Sequence, residues 1–259
     1  MQHVTHHGRT TGYRVADRGG DGSPLLLVHG SGGTHEVWKG QLARLSGERP
    51  IAALDLGGHG ESEDFDADAG WETLSAYVDD VAAVADAVGP AALVGNSLGG
   101  AVALQYAIGR DHDLAALALA GTGAKLPVLS DLLEWLDSDF ERAVEFLHGE
   151  DRLFHDADSE YVDLSTAAMH GVGRRVTARD FLTCHEFDVR DRLGDIAVPA
   201  LAVVGEHDKL TPPEYHERLA AEIPDGRYRE IDDAAHLAML ERPAAFNDAL
   251  REFLADEDV

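Results

Sequence analysis

The stretch that decides the fold is AALVGNSLGG, residues 91–100. Its first four residues form a short apolar run, a turn of small residues follows, and a helical pattern continues over residues 101–108. A serine on such a tight strand-to-helix turn has a strained backbone and exposes its Oγ, which requires small flanking residues. Gly95 and Gly99 meet this requirement. The segment therefore predicts a nucleophile elbow with Ser97 as the nucleophile.

Elsewhere, short apolar runs alternate with longer amphipathic segments, which is typical of a largely parallel sheet joined by crossover helices. Continuous apolar runs are what strands covered on both faces require. Further strands are predicted at residues 24–28, 50–54, 114–120, 200–204 and 227–231, and further helices at residues 73–88 and 243–254. The chain is thus predicted to have an α/β fold.

The alternation breaks over residues 125–195, where charged amphipathic segments follow one another without a strand pattern. We interpret this segment as a helical cap insertion, and residues 1–124 and 196–259 as the core. The larger apolar residues of the cap either pack it onto the core or line a substrate pocket, and packing is the favoured interpretation for each. They are Leu132, Leu133, Trp135, Phe140, Phe146, Leu147, Tyr161, Met169 and Phe181.

An exposed serine needs a base to take its proton, and the base needs a carboxylate to orient it. In a doubly wound sheet both should follow the serine, in the order Asp then His, in loops at the same sheet edge. The segment VVGEHD, residues 203–208, places Asp208 just past a strand, and DDAAH, residues 232–236, places a histidine after the next strand. We predict His236 as the general base and Asp208 as its orienting acid. Two alternatives stay open, namely Glu206 as the acid and Asp208 as only a helix N-cap.

A glycine-rich loop, VHGSGG at residues 28–33, follows the first core strand. The oxyanion that develops when a serine attacks a carbonyl needs backbone N–H donors. We predict these donors at Leu98, where the helix after the nucleophile begins, and at Ser31, with Gly32 as the next choice. The alternative is a plain turn whose glycines only permit tight geometry. His29 is interpreted as a structural hydrogen-bonding residue rather than a second base.

The charge balance is strongly acidic. The chain has 48 Asp and Glu residues against 21 Lys and Arg residues, a net charge of -27, and only three of the basic residues are lysines. Such a surface repels phosphates and anionic lipid headgroups, which argues against nucleic acid and membranes as partners. Because high salt shortens the reach of each charge, we predict a halophilic protein. The alternative is an acidic mesophilic protein.

The single cysteine, Cys184, excludes an intrachain disulfide and a cysteine-rich metal site, and it favours a reducing, cytoplasmic compartment. The first ten residues are polar and His-rich, without a signal-like apolar run, and no segment approaches a membrane span. We interpret this start as a frayed, solvated terminus, with adventitious metal binding by its histidines as the alternative. No cluster of histidines or carboxylates besides Asp208 and His236 has metal-ligand spacing, so no metal is predicted. Nothing in the sequence indicates the oligomeric state.

Together, five segments resemble the α/β-hydrolase superfamily. They are HGSGG from residue 29, DLGGHGES from residue 55, GNSLGG from residue 95, GEHD from residue 205 and AH from residue 235. The resemblance covers nearly the whole chain apart from the cap. It implies an eight-stranded, mostly parallel sheet with a helical lid, and hydrolysis through an acyl-enzyme without a cofactor. The segment at residues 55–62 looks like the family's Asp-x-x-Gly-His-Gly-x-Ser signature, which supports the floor of the active site without doing chemistry.

The branches of this superfamily differ at the elbow. Epoxide hydrolases and haloalkane dehalogenases place aspartate there, so Ser97 disfavours those activities. Serine is kept in carboxylesterases, lipases, enol-lactonases, cofactor-free haloperoxidases (perhydrolases) and hydrolases that cleave carbon-carbon bonds of ring-fission products. The loop after Gly30 lacks the proline that many of the carbon-carbon hydrolases carry. We rank hydrolysis of small carboxylic esters first. A non-catalytic ligand-binding protein of the same fold is a hypothesis of a different class, against which the complete set of catalytic groups argues.

Overall fold

The computed structural model describes residues 1–257 and 259, and its centre is an eight-stranded sheet in the order β1-β2-β4-β3-β5-β6-β7-β8. Strands β1 and β2 pair antiparallel with each other, β2 pairs antiparallel with β4, and all other neighbours are parallel. The strands are β1 (Gln2–His6), β2 (Arg9–Ala16), β3 (Leu25–Val28), β4 (Ile51–Leu54), β5 (Ala92–Asn96), β6 (Ala116–Ala120), β7 (Ala200–Gly205) and β8 (Gly226–Ile231). The predicted fold class is confirmed.

Ten α-helices and two short 3-10 helices, at His35–Trp38 and Arg190–Asp195, flank this sheet in the described part of the chain. The α-helices are α1 (Lys39–Leu45), α2 (Trp71–Val88), α3 (Leu98–Gly109), α4 (Ser130–Ser138), α5 (Phe140–Leu147), α6 (Ser159–Val172), α7 (Arg174–Glu186), α8 (Pro213–Glu222), α9 (Ala238–Glu241) and α10 (Pro243–Asp256). Across residues 1–257 and 259, every helix is too short or too polar to cross a lipid bilayer.

The central strands are buried on both faces, which explains their unbroken apolar sequences. In β3, Leu25 and Leu27 pack in one hydrophobic core with Trp38. The alternating residues Leu26 and Val28 pack in the other core, together with helix α2. Because each face has its own core, the carboxyl ends of the parallel strands are held in a defined position at one edge of the sheet.

The N-terminal segment is a strand, so the interpretation of a frayed terminus was wrong. The backbone of β1 pairs with β2 in register from Gln2 opposite Tyr13 to His6 opposite Arg9. Nε2 of His6 lies 2.8 Å from Thr11 Oγ1 and 3.0 Å from Asp80 Oδ1. Strands β1 and β2 are partly solvated, which breaks the continuous apolar pattern that identified the central strands.

Between β6 and β7 the chain forms α4 to α7, here called the helical insertion. Its only β-type pairing within the described residues consists of isolated bridges, Lys125 with Asp188 and Glu150 with Phe154. Helix α7 packs against α2 and α3 of the core. The assignment of residues 125–195 as a separate cap stays a prediction.

Candidate active site

Ser97 stands at the turn between β5 and α3 with a strained backbone. Its φ is 56° and its ψ is -118°, a conformation that costs an L-residue about 1–3 kcal/mol. Hydrogen bonds hold it there, because its N–H donates to the Ala120 carbonyl at 2.9 Å and its carbonyl accepts from Thr122 Oγ1 at 2.9 Å. A Cβ at Gly95 would collide with the Gly99 carbonyl, so the turn tolerates no larger residue there. The side chain of Ser97 is half-buried while the residues on either side are buried.

The structure brings His236 and Asp208 together in the loops after β8 and β7. Nδ1 of His236 lies 2.8 Å from Asp208 Oδ2, and both side chains are buried. Because an ionised carboxylate only accepts hydrogen bonds, this contact places the imidazole proton on Nδ1 and leaves Nε2 as an acceptor. That tautomer is the one a general base requires.

Asp208 is anchored by its own loop. Its Oδ1 accepts from the backbone N–H groups of Leu210 at 2.8 Å and Thr211 at 2.9 Å, and its Oδ2 accepts from Thr211 Oγ1 at 2.8 Å. Burial alone would raise the pKa of Asp208, but the nearby His236 and these hydrogen bonds hold that pKa below its ordinary value. The sequence analysis did not single out Thr211, although an aspartate side chain that accepts from the backbone N–H two residues on, as Asp208 does from Leu210, is common in turns.

Glu206, the alternative acid, lies elsewhere. Its side chain is exposed, accepts from the Asp233 N–H at 3.3 Å and lies 3.6 Å from His207 Nε2. The other alternative, Asp208 as an N-cap, is also not what the structure shows, because α8 begins at Pro213 with Pro212 at the cap position. Asp208 organises the loop before this helix and at the same time contacts the histidine.

Ser97 and His236 line one cavity of about 910 Å³. Among residues 1–257 and 259, neither Ser97 Oγ nor His236 Nε2 makes a hydrogen bond to another residue. Both groups are therefore available to a substrate, and in enzymes without substrate the contact between serine and base is often long.

Two backbone N–H groups beside the serine are free. Within the described residues, the N–H groups of Leu98 and Ser31 have no acceptor, whereas the Gly32 N–H donates to Asp180 Oδ2 at 3.1 Å. Leu98 begins α3, where unpaired N–H groups favour negative charge. Of the two candidate donors in the glycine-rich loop, Ser31 is therefore the one left available to an oxyanion.

The wall of the cavity is largely apolar. It is formed by the glycine-rich loop, the segments around residues 126–129 and 209–212, and the helical insertion. Five of the nine cap residues singled out in the sequence line it, namely Leu132, Phe146, Tyr161, Met169 and Phe181, whereas Leu133, Trp135, Phe140 and Leu147 do not. An apolar cavity with a few convergent polar groups is typical of a site for a small organic molecule.

Asp180 of α7 connects the helical insertion to the glycine-rich loop, and sequence reasoning missed it. Its Oδ1 accepts from Tyr77 Oη at 2.6 Å, and its Oδ2 contacts the Gly32 N–H at 3.1 Å and His59 Nε2 at 2.9 Å. The carboxylate is fully buried. Nothing in the local sequence distinguishes this aspartate from the other acidic residues, because its role depends on contacts distant in the chain.

The buried histidines near the floor have structural partners. Nδ1 of His29 contacts the Gly30 carbonyl at 2.8 Å and its Nε2 accepts from the Leu56 N–H at 3.0 Å. Burial lowers the pKa of His29 to about 4. The pKa of His59 is raised above its ordinary value. Burial by itself would lower this pKa, but the charge of Asp180 and the hydrogen bond to Asp180 outweigh burial.

Two surface clusters within the described residues have possible metal-ligand atoms within 4.8 Å of one another, namely Asp151, His155 and His207, and Glu206, His207 and Asp233. In the first cluster Asp151 already contacts Lys209 Nζ at 2.6 Å, and the two imidazole rings stack with centroids 3.7 Å apart at 22°. Stacked rings do not direct their lone pairs at one point, so this arrangement does not suit the tetrahedral geometry of a zinc site.

Comparison with known proteins identifies the family. Residues 25–249 match the model of the alpha/beta hydrolase family. The chain is 28% identical over 248 residues to the pimeloyl-[acyl-carrier protein] methyl ester esterase of Neisseria meningitidis, covering 89% of this chain and 93% of that protein. A solved thermophilic esterase is 31% identical, with a TM-score of 0.87 over 99% of this chain and 97% of that one. The enol-lactonase of Burkholderia xenovorans is 25% identical, with a TM-score of 0.83 over 98% of this chain and 100% of the other. The chain therefore belongs to the alpha/beta hydrolase family and is an enzyme of the serine-hydrolase type.

Proposed function

We propose that the protein hydrolyses small carboxylic esters through an acyl-enzyme, with Ser97 as nucleophile, His236 as general base and Asp208 as orienting acid. The observation that carries this proposal is the buried contact between Asp208 and His236 Nδ1 at the wall of the cavity that Ser97 also lines. The esterases among the similar proteins support the choice of an ester.

In the first half of the cycle, Ser97 Oγ attacks the ester carbonyl carbon while His236 Nε2 takes the hydroxyl proton. Asp208 stabilises the imidazolium that forms, and the N–H groups of Ser31 and Leu98 bind the oxyanion. The C–O bond to the alcohol breaks as His236 returns the proton to the leaving oxygen. In the second half, water attacks the acyl-enzyme with the same base, and the acid is released as Ser97 recovers its proton.

A panel of p-nitrophenyl esters tests this function. We expect turnover of the acetate, butyrate, hexanoate and octanoate, and covalent labelling of the protein by a fluorophosphonate, because an activated serine attacks phosphorus and displaces fluoride. An aliphatic enol-lactone and a ring-fission dienoate belong in the same panel, measured as consumption of substrate. If one of these two is turned over far faster than every simple ester, the ester proposal is wrong. Binding of esters without consumption would instead identify a ligand-binding protein.

The proposal extends to the organisation of the chain. Residues 125–195 act as a cap over the cavity, which is supported by the helical insertion residues in its wall. The protein works in a reducing, cytoplasmic compartment. Its one cysteine, Cys184, is buried, and burial raises the pKa of its thiol to about 12, so the thiol is unreactive.

We also propose that the protein is adapted to high salt, on the basis of its net charge of -27. Its melting temperature should rise as KCl increases from about 0.1 M to about 1 M, because the screening length falls from about 10 Å to about 3 Å. The measurement is thermal unfolding followed by circular dichroism. A control that replaces the exposed residues Asp66, Glu160 and Asp163 by their amides should melt higher at low salt and gain less from KCl. Melting that is independent of salt contradicts the proposal.

A further inference from the structure

The charged residues in the cavity wall do not follow the charge of the chain. Whereas acidic residues outnumber Lys and Arg by 48 to 21 in the sequence, the fully charged side chains that line the cavity are Glu36, Lys39 and Lys209. Two of the three lysines of the chain are therefore found in this wall. The wall therefore has two lysines against one glutamate, the reverse of the balance in the chain.

The three charges differ in what already binds them. Lys209 Nζ lies 2.6 Å from Asp151 Oδ2, and its side chain is 64% exposed, so this charge is paired and solvated. Glu36 lies 3.1 Å from His35 Nε2, and its side chain is 63% exposed. Both of these side chains are therefore solvated, and each already has a partner, Asp151 for Lys209 and His35 for Glu36.

Lys39 has no carboxylate partner among residues 1–257 and 259. Within 4.0 Å of its Nζ there is no Asp or Glu oxygen, and the ammonium lies instead over the ring of Tyr161, 4.4 Å from its centroid. The ring face is a weak partner for a cation, and it leaves N–H donors of the ammonium without an acceptor from the protein. In a wall that is otherwise mainly apolar, such a donor attracts an anion more strongly than it would in bulk water.

The location of Lys39 suits the recognition of a substrate. It begins α1, nine residues beyond Gly30 of the glycine-rich loop, whereas Tyr161 belongs to α6 of the helical insertion. The pair therefore joins the two parts of the molecule that enclose the cavity.

We propose that Lys39 binds a carboxylate carried by the ester substrate, so that half-esters of dicarboxylic acids, or esters of hydroxy acids, are preferred over neutral esters of the same length. This inference rests on the proposed ester hydrolysis by the same site.

The experiment compares matched esters at one fixed KCl concentration. The first pair is the p-nitrophenyl monoester of adipic acid and p-nitrophenyl hexanoate, which places the carboxylate on the acyl side. The second pair is 4-acetoxybutyrate and butyl acetate, which places it on the alcohol side. The readout is the ratio of kcat/KM for the anionic ester to that for its neutral match. We expect this ratio to exceed one for at least one pair in the wild-type protein.

Lys39→Met removes the charge and keeps much of the length of the side chain. We expect it to lower the ratio for the preferred pair by about tenfold or more, the effect of losing a hydrogen bond to a charged group. Lys39→Glu should lower the ratio further, because it places a like charge beside the carboxylate. The control is Lys125→Met, which changes the net charge equally at the one lysine outside the cavity wall, where Lys125 pairs with Asp188 at 3.3 Å. This control should leave the ratio unchanged.

Binding without turnover separates this inference from the proposed function. Calorimetric titration with hexanoate and with hexanol should show a preference for the carboxylate that Lys39→Met removes and Lys125→Met keeps. If no ester is hydrolysed but this preference is found, the proposed function fails and the anion site stands. A wild-type ratio of one or less in both ester pairs, or a preference that survives Lys39→Met in a variant that melts like the wild type, overturns the inference.

Discussion

Replacing Ser97 by alanine should lower kcat for p-nitrophenyl butyrate by about four to six orders of magnitude, because no other group forms the acyl-enzyme. KM should change little, since the cavity wall and the backbone donors stay in place. Alanine keeps the Cβ and the strained φ of 56°, so the melting temperature should stay close to that of the wild type. The measurement is the initial rate at saturating ester, together with labelling by a fluorophosphonate followed by intact mass.

The matched control is Ser138→Ala, which removes a hydroxyl that caps only its own helix by donating to the Glu134 carbonyl at 2.7 Å. Its activity and labelling should equal those of the wild type. Turnover of Ser97→Ala within a factor of about one hundred of the wild type would be too fast for residual catalysis by the oxyanion donors alone, and the assignment of the nucleophile would then be wrong.

Asp208→Asn should reduce kcat by roughly 10³- to 10⁴-fold while the protein stays folded. The amide keeps an oxygen for the N–H groups of Leu210 and Thr211, but it presents an NH₂ donor to His236 Nδ1. The imidazole then carries its proton on Nε2 and has no lone pair for the hydroxyl of Ser97. Rates of ester hydrolysis in parallel with melting curves test this prediction.

Glu206→Gln is the control, because it makes the same chemical change at the acid that the sequence left as the alternative. Its exposed carboxylate contacts the Asp233 N–H, so we expect activity within about twofold of the wild type, as for surface substitutions in general. The opposite result, in which Glu206→Gln is inactive and Asp208→Asn is active, would exchange the roles of the two acids.

The sequence was sufficient to locate the central strands, because strands covered on both faces have apolar runs that other structures rarely contain. The run at residues 24–28 became β3 (Leu25–Val28), and the run at residues 50–54 became β4 (Ile51–Leu54). The edge strand β1 could not be recognised in the same way, because none of its residues is buried and polar side chains suffice there. Its position depends on pairing with β2, which is a property of the hairpin and not of the local composition.

The residues of the candidate site likewise fall into those that the sequence could predict and those that it could not. Ser97, Asp208 and His236 could be predicted because each follows a recognisable strand, and parallel strands end at one edge of the sheet. The sequence also ranked Ser31 before Gly32 as oxyanion donor, but the contact that occupies the Gly32 N–H joins it to Asp180, 148 positions away, and could not be predicted. The role proposed for Lys39 could not be predicted either, since only the folded chain shows that its ammonium lies over Tyr161 and that, among residues 1–257 and 259, no carboxylate oxygen lies within 4.0 Å of it.

The attachment of Asp180 restricts how a substrate can reach the serine. An outward movement of α7 would pull this carboxylate away from Tyr77, Gly32 and His59 at once, and separating a buried charge from its partners costs about 3–5 kcal/mol. The same movement would release the glycine-rich loop, which carries the proposed oxyanion donor at Ser31. We therefore expect α7 to keep its position while a substrate enters the cavity.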